Sequence, residues 1–116
     1  MLEGGKNNPL FIKADLLAQK VYEITKDFPR HEMYGITSQL RRAGLSVILN
    51  ITEGFARQDP KEYRRFLLIS FGSLKEAKYL LHFSLKQEYL KEEDFKEVLS
   101  VADEIARILW SIINPK

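Results

Sequence analysis

The chain has 116 residues, 45% of them hydrophobic and 29% charged, with a net charge of +2 from 18 basic and 16 acidic side chains. That suits one domain around one core, and so near a balance of charge does not by itself demand a nucleic-acid partner. With no cysteine, disulfides, thiolate nucleophiles and thiolate metal sites are excluded.

Residues 1–9 are polar, contain glycine and lack the apolar core of a signal peptide. They are expected to form a disordered N-terminal segment, with a bundle domain over residues 10–116. No apolar run approaches the roughly 20 residues of a bilayer span, so no membrane association and a cytoplasmic location are expected.

The first periodic segment covers about residues 10–28. Ala14, Leu17, Val21, Ile24 and Phe28 recur at helical spacing and line one face. Pro29 then ends the helix, because the residue before a proline is pushed out of the helical region. The second segment covers about residues 35–56 and carries two apolar stripes. One is Ile36, Leu40, Ala43, Val47, Asn50 and Gly54; the other is Leu45, Ile48, Thr52 and Phe55. Two stripes imply burial on more than one side, so Leu45, Ile48 and Phe55 are the candidate subunit interface.

The third segment starts sharply, with Asp59 as cap and Pro60 in the first turn. It runs to about residue 88, roughly 43 Å at 1.5 Å per residue. Tyr63, Leu67, Ser70, Leu74, Ala77 and Leu81 follow its seam. The fourth covers about residues 92–113. Glu92, Glu93 and Asp94 face the positive end of its dipole, and Phe95, Val98, Ala102, Ile105, Leu109 and Ile112 form its stripe. The connections are short, so consecutive helices should be antiparallel. The expected fold is all-α, an up-down-up-down four-helix bundle; three helices with a disordered end is the alternative.

Charge is unevenly spread. From Arg30 to Arg65 there are seven bases and four acids, net +3; from Lys91 to Glu104 there are two bases and six acids, net −4. The bases form two foci on the second helix and beyond it. Arg30, Arg41 and Arg42 lie near its start; Arg57, Lys61, Arg64 and Arg65 surround its far end. Arg41 and Arg57 are roughly 24 Å apart along the axis, so one copy does not present one compact patch. Arg41, Arg42, Arg57, Lys61, Arg64 and Arg65 are the candidate nucleic-acid contacts.

Gln39, Arg42, Ser46, Asn50, Glu53 and Arg57 also fall at helical spacing, a polar line along an otherwise apolar helix. Ala43, Gly44 and Gly54 lie close by. Glycine inside a helix costs about 1 kcal/mol against alanine, so close backbone approach is expected there. The line reads either as a hydrogen-bonded network fixing register against the third helix, through Ser73 or Glu76, or as a ligand-contacting groove.

Catalytic and metal chemistry lack their residues. A di-iron bundle site needs Glu-x-x-His pairs, but Phe28 and Tyr79 stand three before His31 and His82. The Arg-to-His spacing of HEPN-type helical ribonucleases, a positioned triad base and phosphate-loop or dinucleotide fingerprints are also missing. The chain is expected to be no enzyme and to need no metal or cofactor.

The run Phe28-Pro29-x-x-Glu32-x-Tyr34-Gly35-Ile36-Thr37-Ser38-Gln39-Leu40-Arg41-Arg42-Ala43 resembles the opening signature of a known family. These are the four-helix bundle proteins encoded within intervening sequences of bacterial large-subunit (23S) ribosomal RNA genes. The likeness continues through Ser46, Asn50-Ile51-Thr52-Glu53-Gly54 and Arg57, and resumes at Tyr63, Arg65-Phe66-Leu67 and Gly72-Ser73-Leu74-x-Glu76. Gly44 and Thr52 replace the alanines usual there. The resemblance implies a cytoplasmic bundle assembling as a homopentamer and supplies no catalytic activity. A related branch, the accessory proteins of diversity-generating retroelements, is similar in fold and uses a basic surface on nucleic acid.

Three functions compete at this level. The first is a non-enzymatic homo-oligomer that binds RNA or other nucleic acid through arginine-rich helix ends. The second is a scaffold docking a protein partner, with no direct nucleic-acid role. The third is a small-molecule or metal-binding bundle, supported by the polar line alone.

Overall fold

The computed structural model describes residues 7–115. Four α-helices follow one another: α1 (Pro9–Thr25), α2 (Ile36–Ala56), α3 (Pro60–Lys86) and α4 (Glu92–Ile113), with a 3-10 turn at Arg30–Glu32. The expected disordered segment, residues 1–9, falls mostly outside the described residues; its end belongs to α1. Asn8 Oδ1 accepts from the Leu10 amide at 2.8 Å, and Pro9 fills the first turn. Asp59 and Pro60 start α3 by the same device, with Asp59 Oδ2 accepting from the Glu62 amide at 3.0 Å.

α1 stops three residues earlier than its periodicity suggests. The Phe28 amide bonds back to Thr25 O at 3.2 Å in a turn, yet the Phe28 ring stays buried. The left-handed region closes two other helices. Gln58 (φ 51) follows α2 and Glu88 (φ 64) follows α3. After α3 the Glu88 amide bonds Leu85 O at 3.0 Å and the Tyr89 amide bonds Ser84 O at 2.9 Å, so the last carbonyls are satisfied.

Facing pairs establish direction. Arg41 meets Thr25 and Gly44 meets Val21 across α1 and α2. Val47 meets Ser70 and Gly54 meets Tyr63 across α2 and α3. Lys78 meets Asp103 and Arg64 meets Ile113 across α3 and α4. Lys13 meets Glu104 and Lys20 meets Glu97 across α1 and α4. Numbers rise on one partner as they fall on the other, so every neighbouring pair is antiparallel. Each helix packs on its two neighbours, and α1 closes on α4. The bundle is 44 Å long.

Leu17, Val21, Leu40, Val47, Ile51, Leu67, Leu74, Leu81, Ala102, Ile105 and Leu109 make the innermost core. All six seam residues expected on α3 are buried. The Ser70 hydroxyl is satisfied there by donating to Val47 O at 2.7 Å. Two expectations need correction. Ile113, not Ile112, completes the α4 stripe: the former is buried and the latter 38% exposed. Ile48, expected at a subunit interface, is 9% exposed and belongs to the core of its own chain. It sits on the side of α2 that faces α1, whereas Leu45 and Leu49 lie on the outer side.

Three of the six acids of the last segment pair with lysines of other helices. Glu104 and Glu97 take lysines from α1, and Asp103 takes Lys78 of α3 at 2.7 Å.

Candidate nucleic-acid interface

The two basic foci lie at opposite ends of the bundle, and the fold does not bring them together. At the α2–α3 end, most of the positive charge is already engaged. Arg57 Nη2 lies 3.0 Å from Glu53. Arg65 makes two contacts of 3.1 Å to Glu62. Their guanidinium carbons lie 5.1 Å and 4.5 Å from the centroid of the Phe66 ring, so both flank one aromatic side chain. The hydrogen bond from Arg65 holds the Glu62 carboxyl below its usual range. Arg64 Nε donates to Ile113 O at 3.0 Å and so caps α4. Lys61 is exposed, with no ion pair among the described residues.

The α1–α2 end is different. Arg41 Nε donates to Thr25 Oγ1 at 2.8 Å, and its guanidinium stacks 4.6 Å from the Tyr22 ring centroid. These contacts fix the side chain without neutralising it. Arg42 is exposed and unpaired among the described residues. It borders a shallow groove of about 200 Å³ with Gln39, Ala43, Ser46 and Glu76.

The middle of the polar line is an interhelical network. Asn50 Nδ2 donates to Ser46 O at 2.8 Å and to Ser46 Oγ at 3.0 Å. Ser46 Oγ shares a 2.9 Å hydrogen bond with Ser73 Oγ of α3. Glu53 and Arg57 end the line as an i, i+4 pair. The line therefore fixes the α2–α3 register at its centre and opens to solvent at Gln39 and Arg42. The glycine beside it has a steric reason: a Cβ on Gly54 would lie 2.9 Å from Phe66 Cβ and 3.3 Å from Tyr63 O.

Glu32 carries no local sequence signal of its role. Its Oε1 accepts from the Ile36 amide at 3.1 Å, capping α2, and its Oε2 accepts from Tyr89 Oη–H at 2.9 Å. One carboxylate thus ties the α1–α2 corner to the α3–α4 corner. Tyr89 lies 57 positions away, so no local spacing announces the pair. The Ile36 amide first, and Tyr89 second, hold Glu32 below the ordinary carboxylate range. Its contribution to stability is therefore full above the unfolded value of about 4.3 and lost as pH falls through the depressed folded value. Glu32→Gln should melt below the native protein at pH 7, and the gap should narrow in acid below about pH 4. Melting curves across that range check it; a constant gap would assign Glu32 no ionic role.

No group of three or more His, Asp or Glu among the described residues is placed to hold a metal ion. No helix among the described residues is long and apolar enough to cross a membrane.

Fold and surface together define an all-α bundle with an arginine-rich focus at each end of α2. The chain belongs to the 23S rRNA-intervening sequence protein family, whose model matches residues 6–111. It is also similar to a crystal structure of a protein of unknown function from the S23 ribosomal protein family of Bacteroides thetaiotaomicron. The two share 24% identity over 94% of this chain and 98% of that one, with a TM-score of 0.84, a likeness of fold. No curated protein matches this sequence.

Proposed function

We propose that the protein is a non-enzymatic, cytoplasmic homo-oligomer, a pentameric ring, that binds RNA or another nucleic acid through its arginine-bearing helix ends. One observation carries the reading: exposed leucines lie at mid-height, and the arginines of α2 and its flanks lie at the ends. The register that pairs Val21 with Gly44 and Val47 with Ser70 sets Leu16, Leu49 and Leu68 at one level. They are 41%, 61% and 42% exposed. This belt wraps the outer sides of α1, α2 and α3. A cyclic ring uses two different faces of each copy, and a belt spanning three helices provides them.

Gly72 supports the same arrangement. It stands in the middle of α3, one turn from Leu68, and a Cβ built on it would touch nothing. A glycine that costs about 1 kcal/mol in a helix has no steric reason within the chain, and close approach of a second copy supplies one.

Closing the ring through the belt leaves both rims basic, and symmetry multiplies each focus. Arg41 and Arg42 should outweigh Arg57, Arg64 and Arg65, because Glu53, Glu62 and the end of α4 already engage the latter. Gel-shift titrations with single-stranded RNA at two salt concentrations test this. Affinity should fall with salt. Changing Arg41 and Arg42 to Ala should lower the salt slope by about 1 for each phosphate that a copy no longer neutralises. Changing Arg57, Arg64 and Arg65 should do less. Equal binding by native protein and both variants would reject these residues as the binding surface.

The belt and the exposed Trp110 and Tyr79 (55% and 64% exposed) also suit a scaffold that docks a protein partner. On that reading, capture of the partner survives nuclease treatment of the lysate; on the first it does not.

A further inference from the structure

The corner where α1 turns into α2 holds a pocket of about 330 Å³. Lys26, Arg30 and Arg41 bring three cations to its lining, and no carboxylate lines it. None of the three is ion-paired among the described residues. Glu23 and Asp27, near the end of α1, line a separate pocket with Asp94, and the Glu32 carboxylate is taken by the Ile36 amide and Tyr89. Arg41 is held in place by Thr25 and Tyr22, which leaves both Nη groups without a hydrogen-bond partner among the described residues.

Thr37 is an independent sign of a ligand. It lines the same pocket and is 6% exposed. Its Oγ1 is the one buried side-chain polar atom among the described residues with no hydrogen-bond partner. The other buried serine and threonine hydroxyls, on Thr25, Ser70 and Ser84, all donate to a carbonyl. An unpaired hydroxyl in such a place is costly; its oxygen is covered, so the side chain must turn toward the pocket to meet a ligand.

The helix ends do not decide the matter. The C-terminal end of α1 disfavours an anion and the N-terminal end of α2 favours one. The Ile36 amide at that second end is already taken by Glu32. The side chains therefore set the preference. Three cations call for more charge than one carboxylate carries, and the Arg41 fork with a hydroxyl beside it suits several oxygens on one centre.

We propose that this pocket is a phosphate-binding site, in which the Thr37 hydroxyl and the Arg41 Nη groups donate to phosphate oxygens while Lys26 and Arg30 balance the charge. The phosphate comes from a nucleic-acid backbone or from free phosphate; the first source rests on the nucleic-acid reading above. The test is NMR titration of the ¹⁵N-labelled full chain with inorganic phosphate and, separately, with short single-stranded RNA. Native protein is compared with Thr37→Val, Arg41→Met and, at the opposite end, Arg57→Ala.

Phosphate should shift the amides around Thr37 and Arg41 saturably. Thr37→Val should weaken binding roughly tenfold or more, the loss of one hydrogen bond to a charged group. It should fold normally, since it only replaces an unpaired hydroxyl with a methyl group. Arg41→Met should weaken binding further, and Arg57→Ala should leave it unchanged. Phosphate shifting no amide here would overturn the site, as would equal affinity of Thr37→Val and native protein. If native protein and Thr37→Val bound RNA and phosphate alike, the pocket would fail while the nucleic-acid reading stood. Saturable phosphate binding without RNA binding would support the pocket with free phosphate as its source, and would defeat that reading.

Discussion

Gly54→Ala should destabilise the bundle, while Gly44→Ala on the same helix should not. The added methyl group meets different neighbours. At Gly54 it would stand 2.9 Å from Phe66 Cβ and 3.3 Å from Tyr63 O. Both belong to the backbone or next to it, so neither can swing aside, and α2 and α3 must separate. Overpacking of this kind costs about 1–3 kcal/mol, and alanine returns about 1 kcal/mol of helix propensity. The net expectation is a loss of up to about 2 kcal/mol, or of order 4–8 °C per kcal/mol in a small domain. At Gly44 the nearest atom is Val21 Cγ2 at 3.4 Å, ordinary contact. There the propensity gain of up to about 1 kcal/mol is unopposed. Thermal and urea melts at one fixed protein concentration check both. A Gly54→Ala variant more stable than the native protein would mean that α2 and α3 are not in close contact at Gly54, and a destabilised Gly44→Ala would mean that Val21 crowds Gly44.

Leu49→Arg should leave the chain folded and take the assembly apart. Leu49 is 61% exposed in the single chain, so the change empties no core position. If copies meet through the belt, each interface loses the burial of a leucine, worth about 1.5–3 kcal/mol. It also gains a charge that must be desolvated. In a ring that loss recurs at every interface. Far-UV circular dichroism should be unchanged while sedimentation shifts to smaller species. Ile48→Ala is the contrasting variant. Ile48 is 9% exposed, so this change should lower the melting temperature of the chain itself.

The helices are legible in the sequence because their punctuation is chemical. Asp59–Pro60 and the acidic turn Glu92–Asp94 announce their starts, and α4 has the bounds its periodicity implies. Asn8–Pro9 carries the same signal as Asp59–Pro60, but the polar, glycine-containing residues before it mask the start of α1. The two side assignments that failed, Ile48 and Ile112, each lie one position from the true outward or inward residue. One position is a rotation of about 100° on a helix, so an apolar pair at a stripe's edge does not say which member turns in.

The interface is less legible, for a different reason. The polar line is visible, and its Ser46–Ser73 pairing follows from register. The pairing of Arg57 with Glu53 and Arg65 with Glu62 can be read from i, i+4 and i, i+3 spacing. It means that half of one basic focus is already neutralised. Glu32 with Tyr89 depends on how two corners of the chain meet, and Thr37 with Lys26, Arg30 and Arg41 on how the α1–α2 corner folds back on itself. No periodicity carries that information.

Molecular mass in solution, by sedimentation equilibrium or light scattering at micromolar concentration, puts the mid-height belt to the plainest trial. Five times the 13.5 kDa chain mass is expected for the native protein, falling toward the single-chain value for Leu49→Arg. A native species of 13.5 kDa across that concentration range would mean that the belt joins no copies, and the basic rims built on it would go with it.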